Sequence, residues 1–258
     1  MAGTTLTPRE VRRYSRQIMI PEVGIAGQEK IRKARVIVVG AGGLGSPVLQ
    51  YLVAAGVGMA GIAEFDTVDE TNLQRQVLYG SDDVGKLKSI IAKERLVHLN
   101  SLVEIPILNL RIDAKNAIRV FENYDIVVDA TDNYEARYVI SDACVILGKP
   151  VVHGSVYKSE AQVAVFNYNG GPTYRCLHPY VKDPALRHPR AEDAGILGVL
   201  AGITGTIMAS EVLKIITGTG EILSGKVLLV NTFNYQFTVI KIKSIPENHN
   251  IREIQAIY

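Results

Sequence analysis

Residues 35–45, "RVIVVGAGGLG", run from an unbroken apolar segment straight into a glycine-rich turn. A Val-rich run with no polar alternation is what a parallel strand buried on both faces requires. Gly40, Gly42 and Gly45 fit G-x-G-x-x-G, with Gly43 between the last two. Set between a strand and a helix, such glycines permit a tight turn and let a phosphate approach the helix N-terminus. A helix is expected from Ser46 to about Ala55. The pattern selects a nucleotide without choosing between NAD and ATP.

Outward from this turn, "GMAGIAEFD", "EIPILNL" and "YDIVVDATD" read as further strands. Helices are expected near 86–100, 114–122 and 134–148. Strand alternating with helix predicts an α/β fold with a Rossmann-like doubly wound sheet. After Lys149 the pattern changes. "PVVHGSVY", "AQVAVFNYNGG", "GKVLLVN" and "QFTVIKIK" suggest antiparallel strands that continue the parallel half. One domain over 1–258 is expected: an N-terminal helical arm (1–35), a nucleotide-binding half (36–149) and an antiparallel half (150–258) with a crossover loop at about 177–194.

In the arm, "TPRE" has the capping-box pattern, with Thr7 as cap and Glu10 reaching back. The helix that follows should place Val11, Tyr14 and Ile18 on one side, with Arg16 among the arginines of the remainder. A second short helix is expected near "AGQEKIRKA". "ILGVLAGITGTIMAS", 196–210, has 15 uncharged residues, short of the roughly 20 that cross a bilayer. It reads as a buried helix with small residues for close packing.

Hydrophobic residues are 47% and charged residues 21% of the 258, ordinary globular usage. The net charge of +2 makes no case for nucleic acid or membrane surfaces. Cys144 and Cys176 cannot make a disulfide framework, so reduced thiols in a cytoplasmic protein are expected. The opening residues lack the apolar core of a signal peptide.

"FDTVDETNLQRQVLYGSDDVGKLK", 65–88, carries more phosphate-seeking groups than hydride transfer needs. Glu64 and Asp66 stand where an acid holds ribose hydroxyls. Asn72 and Arg75, three apart, could face one ligand from a helical turn, and Lys88 could complete a cationic rim. Asp132 lies just past a strand, where α/β sheets place ligands, and its carboxylate could hold magnesium. All follow consecutive strands and converge on one sheet edge, which favours a triphosphate. His153, the only histidine in a strand, reads as packed.

Taken in order, "RYSRQI", "GAGGLGSPV", "NLQRQ", "VGKLK", "DATDN" and "SEVLK" resemble the ThiF/MoeB/HesA family, related to the adenylation domain of ubiquitin-activating enzymes. The resemblance spans nearly the whole chain. It implies an ATP-dependent adenylyltransferase that activates the C-terminal glycine carboxylate of a ubiquitin-like sulfur-carrier protein ending in Gly-Gly, in molybdopterin or thiamin biosynthesis. An acyl-adenylate forms and pyrophosphate leaves. The turn around Gly43 would cradle ATP, and Thr71, Asn72, Leu73, Gln74 and Arg75 would wrap it. Lys88 would stabilise phosphate charge. Asp132, beside Asn133, would bind Mg2+. Arg16 would reach across a homodimer, and the antiparallel half would bind the carrier.

Three departures stand out. Glu64 aligns with a position that is usually Asp. Many relatives carry two C-x-x-C pairs for zinc, but "TYRC" has Thr173 in the first place and "NHNIREIQAIY" has no cysteine. The loss of the four-thiolate set argues against zinc, and Cys176, His178 and His188 are three ligands too irregularly spaced to replace it. In the crossover loop Ala191 stands where some relatives have a reactive cysteine, a loss that adenylation survives. Other readings are a tRNA-modifying dehydratase of the same superfamily, an NAD-dependent oxidoreductase and a non-enzymatic carrier scaffold. The near-neutral charge weighs against RNA.

Overall fold

The computed structural model describes residues 4–181 and 195–255. Within them, eight strands form one sheet: β1 (Arg35–Val39), β2 (Met59–Ala63), β3 (Ile107–Leu108), β4 (Ile126–Asp129), β5 (Val151–Tyr157), β6 (Glu160–Phe166), β7 (Lys226–Asn231) and β8 (Gln236–Lys241). Their order is β3-β2-β1-β4-β5-β6-β7-β8. Pairs from β3 across to β5 are parallel. Those from β5 to β8 are antiparallel. The change follows from the connections. Helices return the chain between parallel strands, whereas β5 reaches β6 through a tight turn with Lys158 at φ 54°.

The helices are α1 (Pro8–Arg13), α2 (Ser15–Ile18), α3 (Gly24–Lys33), α4 (Gly45–Ala55), α5 (Lys88–Leu99), α6 (Ala117–Phe121), α7 (Tyr134–Leu147), α8 (Tyr174–Leu177) and α9 (Gly198–Thr217). β1 explains why its segment is continuously apolar. Val36 and Val38 join a core with Leu49 and Leu52 of α4 and Met208 of α9. Ile37 and Val39 join the opposite core with Phe121 and Tyr138. Each such burial contributes about 1.5–3 kcal/mol.

The capping box forms as expected. Glu10 N donates to Thr7 Oγ1 (3.3 Å), and Glu10 Oε2 accepts from Thr7 N (2.7 Å). The single arm helix expected beyond it is instead two, broken at Tyr14. Tyr14 is 3% exposed. Its ring covers Gly56, and its hydroxyl accepts from Asn100 Nδ2 at 2.9 Å. Seating that ring diverts the chain. Helix α9 runs seven residues past the expected segment. By length and composition it could cross a membrane, yet here it packs on α3, α4, β5 and β6. Gly205 permits this: a Cβ there would lie 2.5 Å from the Leu44 carbonyl.

Candidate active site

The glycine turn is held from three sides. Tyr79 Oη donates to Ala41 O (2.8 Å), Ser46 Oγ donates to Gly42 O (2.7 Å), and Ala41 N donates to Glu64 Oε2 (2.9 Å). Gly40 adopts φ 91°, and a Cβ on it would meet Ala130 O at 2.9 Å. A Cβ on Gly45 would fall 1.9 Å from Gly40 O. Gly40, Gly42 and Gly43 line a cavity over the C-terminal ends of the parallel strands, and Gly45 lies outside its lining.

Glu64, Asp66, Arg75, Lys88, Asp132 and Asn133 line the same cavity. Lys88 is 5% exposed, and its ammonium stands 3.6 Å from Asp66, which is half exposed. Arg75 Nη1 donates to Thr71 O at 3.2 Å, and the Arg75 stem, Cγ and Cδ, lies over Gly43. Asp132 is exposed. It lines a second, adjoining cavity as well, together with Arg137 and Val156. Asn133 caps α7 by accepting from Ala136 N at 2.8 Å.

Glu64 is more committed than an acid reserved for ribose. It is 6% exposed, and besides Ala41 it accepts from Phe65 N (2.8 Å) and Asp66 N (2.9 Å). It therefore shapes the loop after β2 while lining the cavity.

Several expected residues stand outside the lining. Thr71 donates from N and Oγ1 to Asp69 Oδ1 (2.8 and 2.5 Å), within a single 3-10 turn over Glu70–Asn72. Those bonds hold the Asp69 carboxyl below the usual carboxylate range. Asn72 Nδ2 donates to Thr71 Oγ1 at 3.4 Å instead of facing the cavity beside Arg75. Leu73 packs on the core. The Gln74 carbonyl lies against Gly198. Arg16 is exposed on α2. The 3-10 turn ends at Asn72, and of the two residues that helical spacing had placed together only Arg75 lines the cavity.

Gln76, Arg111 and Arg137 line the cavity without having been expected there. Gln76 is 5% exposed, with Oε1 unpartnered among the described residues. Arg137 donates from Nη2 to Thr131 O (3.2 Å), and its Nε is buried without a partner among them. A signal for Arg137 was available: it falls one helical turn after the α7 cap, on the face turned to Asp132.

The family raises two metals, of which magnesium was expected and zinc was not. For magnesium, Asp132 offers hard carboxylate oxygens at the cavity mouth, which fits. For zinc the residues do not fit. Cys176 Sγ meets Thr173 Oγ1 (3.5 Å), Ile245 N (3.4 Å) and Asn248 Nδ2 (3.7 Å). Positions 173/176 and 245/248 repeat the C-x-x-C spacing, but only 176 is a thiol: Thr173 Oγ1, Ile245 N and Asn248 Nδ2 can donate to it, and Ile245 O accepts from it (3.9 Å). Burial alone would raise the Cys176 pKa; these donors instead hold it below its ordinary value. Gln162 Nε2 lies 3.3 Å from His178 Nε2. His188, Ala191 and most of the crossover loop lie outside the described residues.

The ThiF family pattern matches residues 14–251. A sulfur carrier protein adenylyltransferase of Thermus thermophilus is 46% identical over 93% of this chain and 90% of its own length. The probable adenylyltransferase/sulfurtransferase MoeZ of Mycobacterium tuberculosis is 42% identical over 98% of this chain, which spans 65% of that protein. A probable molybdopterin-synthase adenylyltransferase of Porphyra purpurea is 42% identical over 93% of the chain, which spans 63% of it. Among solved structures, E. coli MccB with MccA-N7isoASN superimposes with a TM-score of 0.81 at 22% identity, covering 94% of this chain and 74% of that one. That likeness concerns the fold. The chain belongs to the ThiF family.

Proposed function

We propose that this ThiF-family chain is an ATP-dependent adenylyltransferase acting on the C-terminal glycine carboxylate of a ubiquitin-like sulfur-carrier protein. One observation carries the reading. The glycine turn, a buried lysine, three arginines and two open carboxylates line a single cavity at the ends of the parallel strands. Charge of that kind suits a triphosphate and exceeds what hydride transfer needs. The names of the relatives support a sulfur carrier as acceptor, and one points to molybdopterin synthesis.

In the reaction a carboxylate oxygen of the carrier forms a bond to the α-phosphorus, and the bond from that phosphorus to the bridging oxygen breaks. Acyl-adenylate and pyrophosphate result. Turn amides near Gly42 and Gly43 receive phosphate oxygens, while Lys88 and Arg75 offset the charge gathering on them. Asp132 would hold magnesium, which supplies further neutralisation of phosphate charge when bound. Glu64 fixes the turn and stands beside the ribose position. Arg16, exposed on α2, reaches the cavity of a second copy in a homodimer. The second cavity, sharing Asp132 and Arg137, admits the carrier's terminal residues. No step needs a thiol of this chain, so sulfur transfer falls to other groups.

The test is ATP–pyrophosphate exchange across carriers ending in Gly-Gly, with tRNA in the carrier's place as control. Exchange that depends on a carrier is expected. Exchange with tRNA alone, or tighter binding of NADH than of ATP, would overturn the reading.

A further inference from the structure

We propose that His153 and Asp129 are a positioning pair for the turn bearing Asp132, so that a buried imidazole sets how firmly the site holds magnesium with ATP. The inference rests on the adenylyl-transfer reading. Asp129 and His153 are register partners in β4 and β5. His153 Nδ1 lies 2.8 Å from Asp129 Oδ2, and the two residues are 1% and 2% exposed. The other carboxylate oxygen accepts from Thr131 N (3.1 Å) and Thr131 Oγ1 (2.6 Å). Asp132 is the next residue.

Burial would raise the Asp129 pKa, but hydrogen bonds from His153 and Thr131 hold it below the usual range. Burial pushes the His153 pKa down, so its ring is neutral. The ring proton then sits on Nδ1 toward Asp129. Nε2 is left buried with no partner among the described residues. An unmet buried acceptor costs about 1–3 kcal/mol, which an apolar side chain in a packing role would avoid. What the imidazole supplies is the Nδ1 bond. Phe166 (centroids 5.8 Å) and Tyr174 (5.1 Å) hold its plane.

The held turn borders both parts of the site. Thr131 O accepts from Arg137, and Ala130 O abuts Gly40. Neither His153 nor Asp129 lines either cavity. The pair acts through the turn alone, fixing the spacing between the metal-holding carboxylate and the phosphate cradle. Groups that orient metal ligands in this way are worth about 10–100-fold in metal affinity or activity.

The test is the magnesium midpoint for ATP binding by calorimetry, repeated in pyrophosphate exchange, with melting temperature recorded alongside. His153→Asn keeps an N–H near the Nδ1 position and His153→Leu does not. The Leu variant should raise the midpoint about tenfold or more, with KM for ATP at saturating magnesium within about threefold of wild type. The Asn variant should stay near wild type. A Leu variant that melts earlier but keeps the wild-type midpoint, or an Asn variant as impaired as Leu, would overturn the proposal. If Leu does not fold, Thr131→Val against Thr131→Ser reads the same turn: Val should shift the midpoint and Ser should not, and equal behaviour refutes it. Should wild type exchange nothing, the adenylyl-transfer reading fails, while the calorimetric midpoints still decide the pair.

Discussion

On either side of β1, the strands β2 and β4 each end in a buried acid followed by an open one. Glu64 and Asp129 are 6% and 2% exposed, whereas Asp66 and Asp132 are exposed. Both buried carboxylates hold the loop that follows and one further element: Glu64 binds Phe65, Asp66 and Ala41 of the glycine turn, and Asp129 binds Thr131 and His153 of β5. The open acids differ. Asp66 faces Lys88 at 3.6 Å, while Asp132 stands between two cavities. The comparison separates acids that shape the cradle from the acid available to a ligand. Each kind should answer differently to removal of its charge.

The largest effect should come from Asp132→Asn. Exchange is expected to fall about 10²–10³-fold with the melting temperature unchanged. Asp66→Asn, which removes only a partner of Lys88, should cost less than about tenfold by the same assay. Equal losses would erase the distinction between the two open acids.

Asp129→Asn should lower both stability and exchange. Losing the charged acceptor of these buried hydrogen bonds costs about 1.5–3 kcal/mol, measured by urea unfolding. The pair also gives stability a pH signature. An unfolded imidazole takes up a proton below about pH 6.5, whereas burial resists that proton in the fold. Stability therefore falls as pH drops from 7 toward 5, with a slope approaching about 1.4 kcal/mol per unit. The depressed Asp129 carboxyl works in the same direction at lower pH: its contribution is present above about pH 3.9 and is lost as pH falls through the folded value. His153→Asn should flatten the limb between 7 and 5. An unchanged limb would show that another group titrates there.

Glu64→Gln keeps one acceptor oxygen of two, so a loss of about 1–2 kcal/mol is expected, together with a raised KM for ATP. The smallest effect belongs to a shaping acid remote from the cavity. Glu10 is 7% exposed and serves only the capping box and Arg32. Glu10→Gln should cost about 1 kcal/mol and leave exchange untouched. A change in exchange would mean that the arm is coupled to the site.

Local signals carried much of this. The glycine turn, the parallel-to-antiparallel change after Lys149, Lys88 and Asp132 were all legible because strand period and spacing place loops at one sheet edge. The His153–Asp129 pair was not, since it depends on the register of β4 against β5 across 24 positions. Asn72 was misplaced because the regular turn stops at it and its amide bonds Thr71. The break at Tyr14 depends on Asn100, 86 residues away. The donors around Cys176 come from a segment 69 to 72 residues later, which no C-x-x-C count could reveal.

The 1.9 Å between a would-be Cβ on Gly45 and the Gly40 carbonyl bears on how such motifs survive. Even alanine there would pry the first turn of α4 off the strand it springs from. A descendant that abandoned nucleotides altogether would still be forced to keep this glycine, so the last letter of the fingerprint attests to a seam in the backbone and says nothing about what the protein binds.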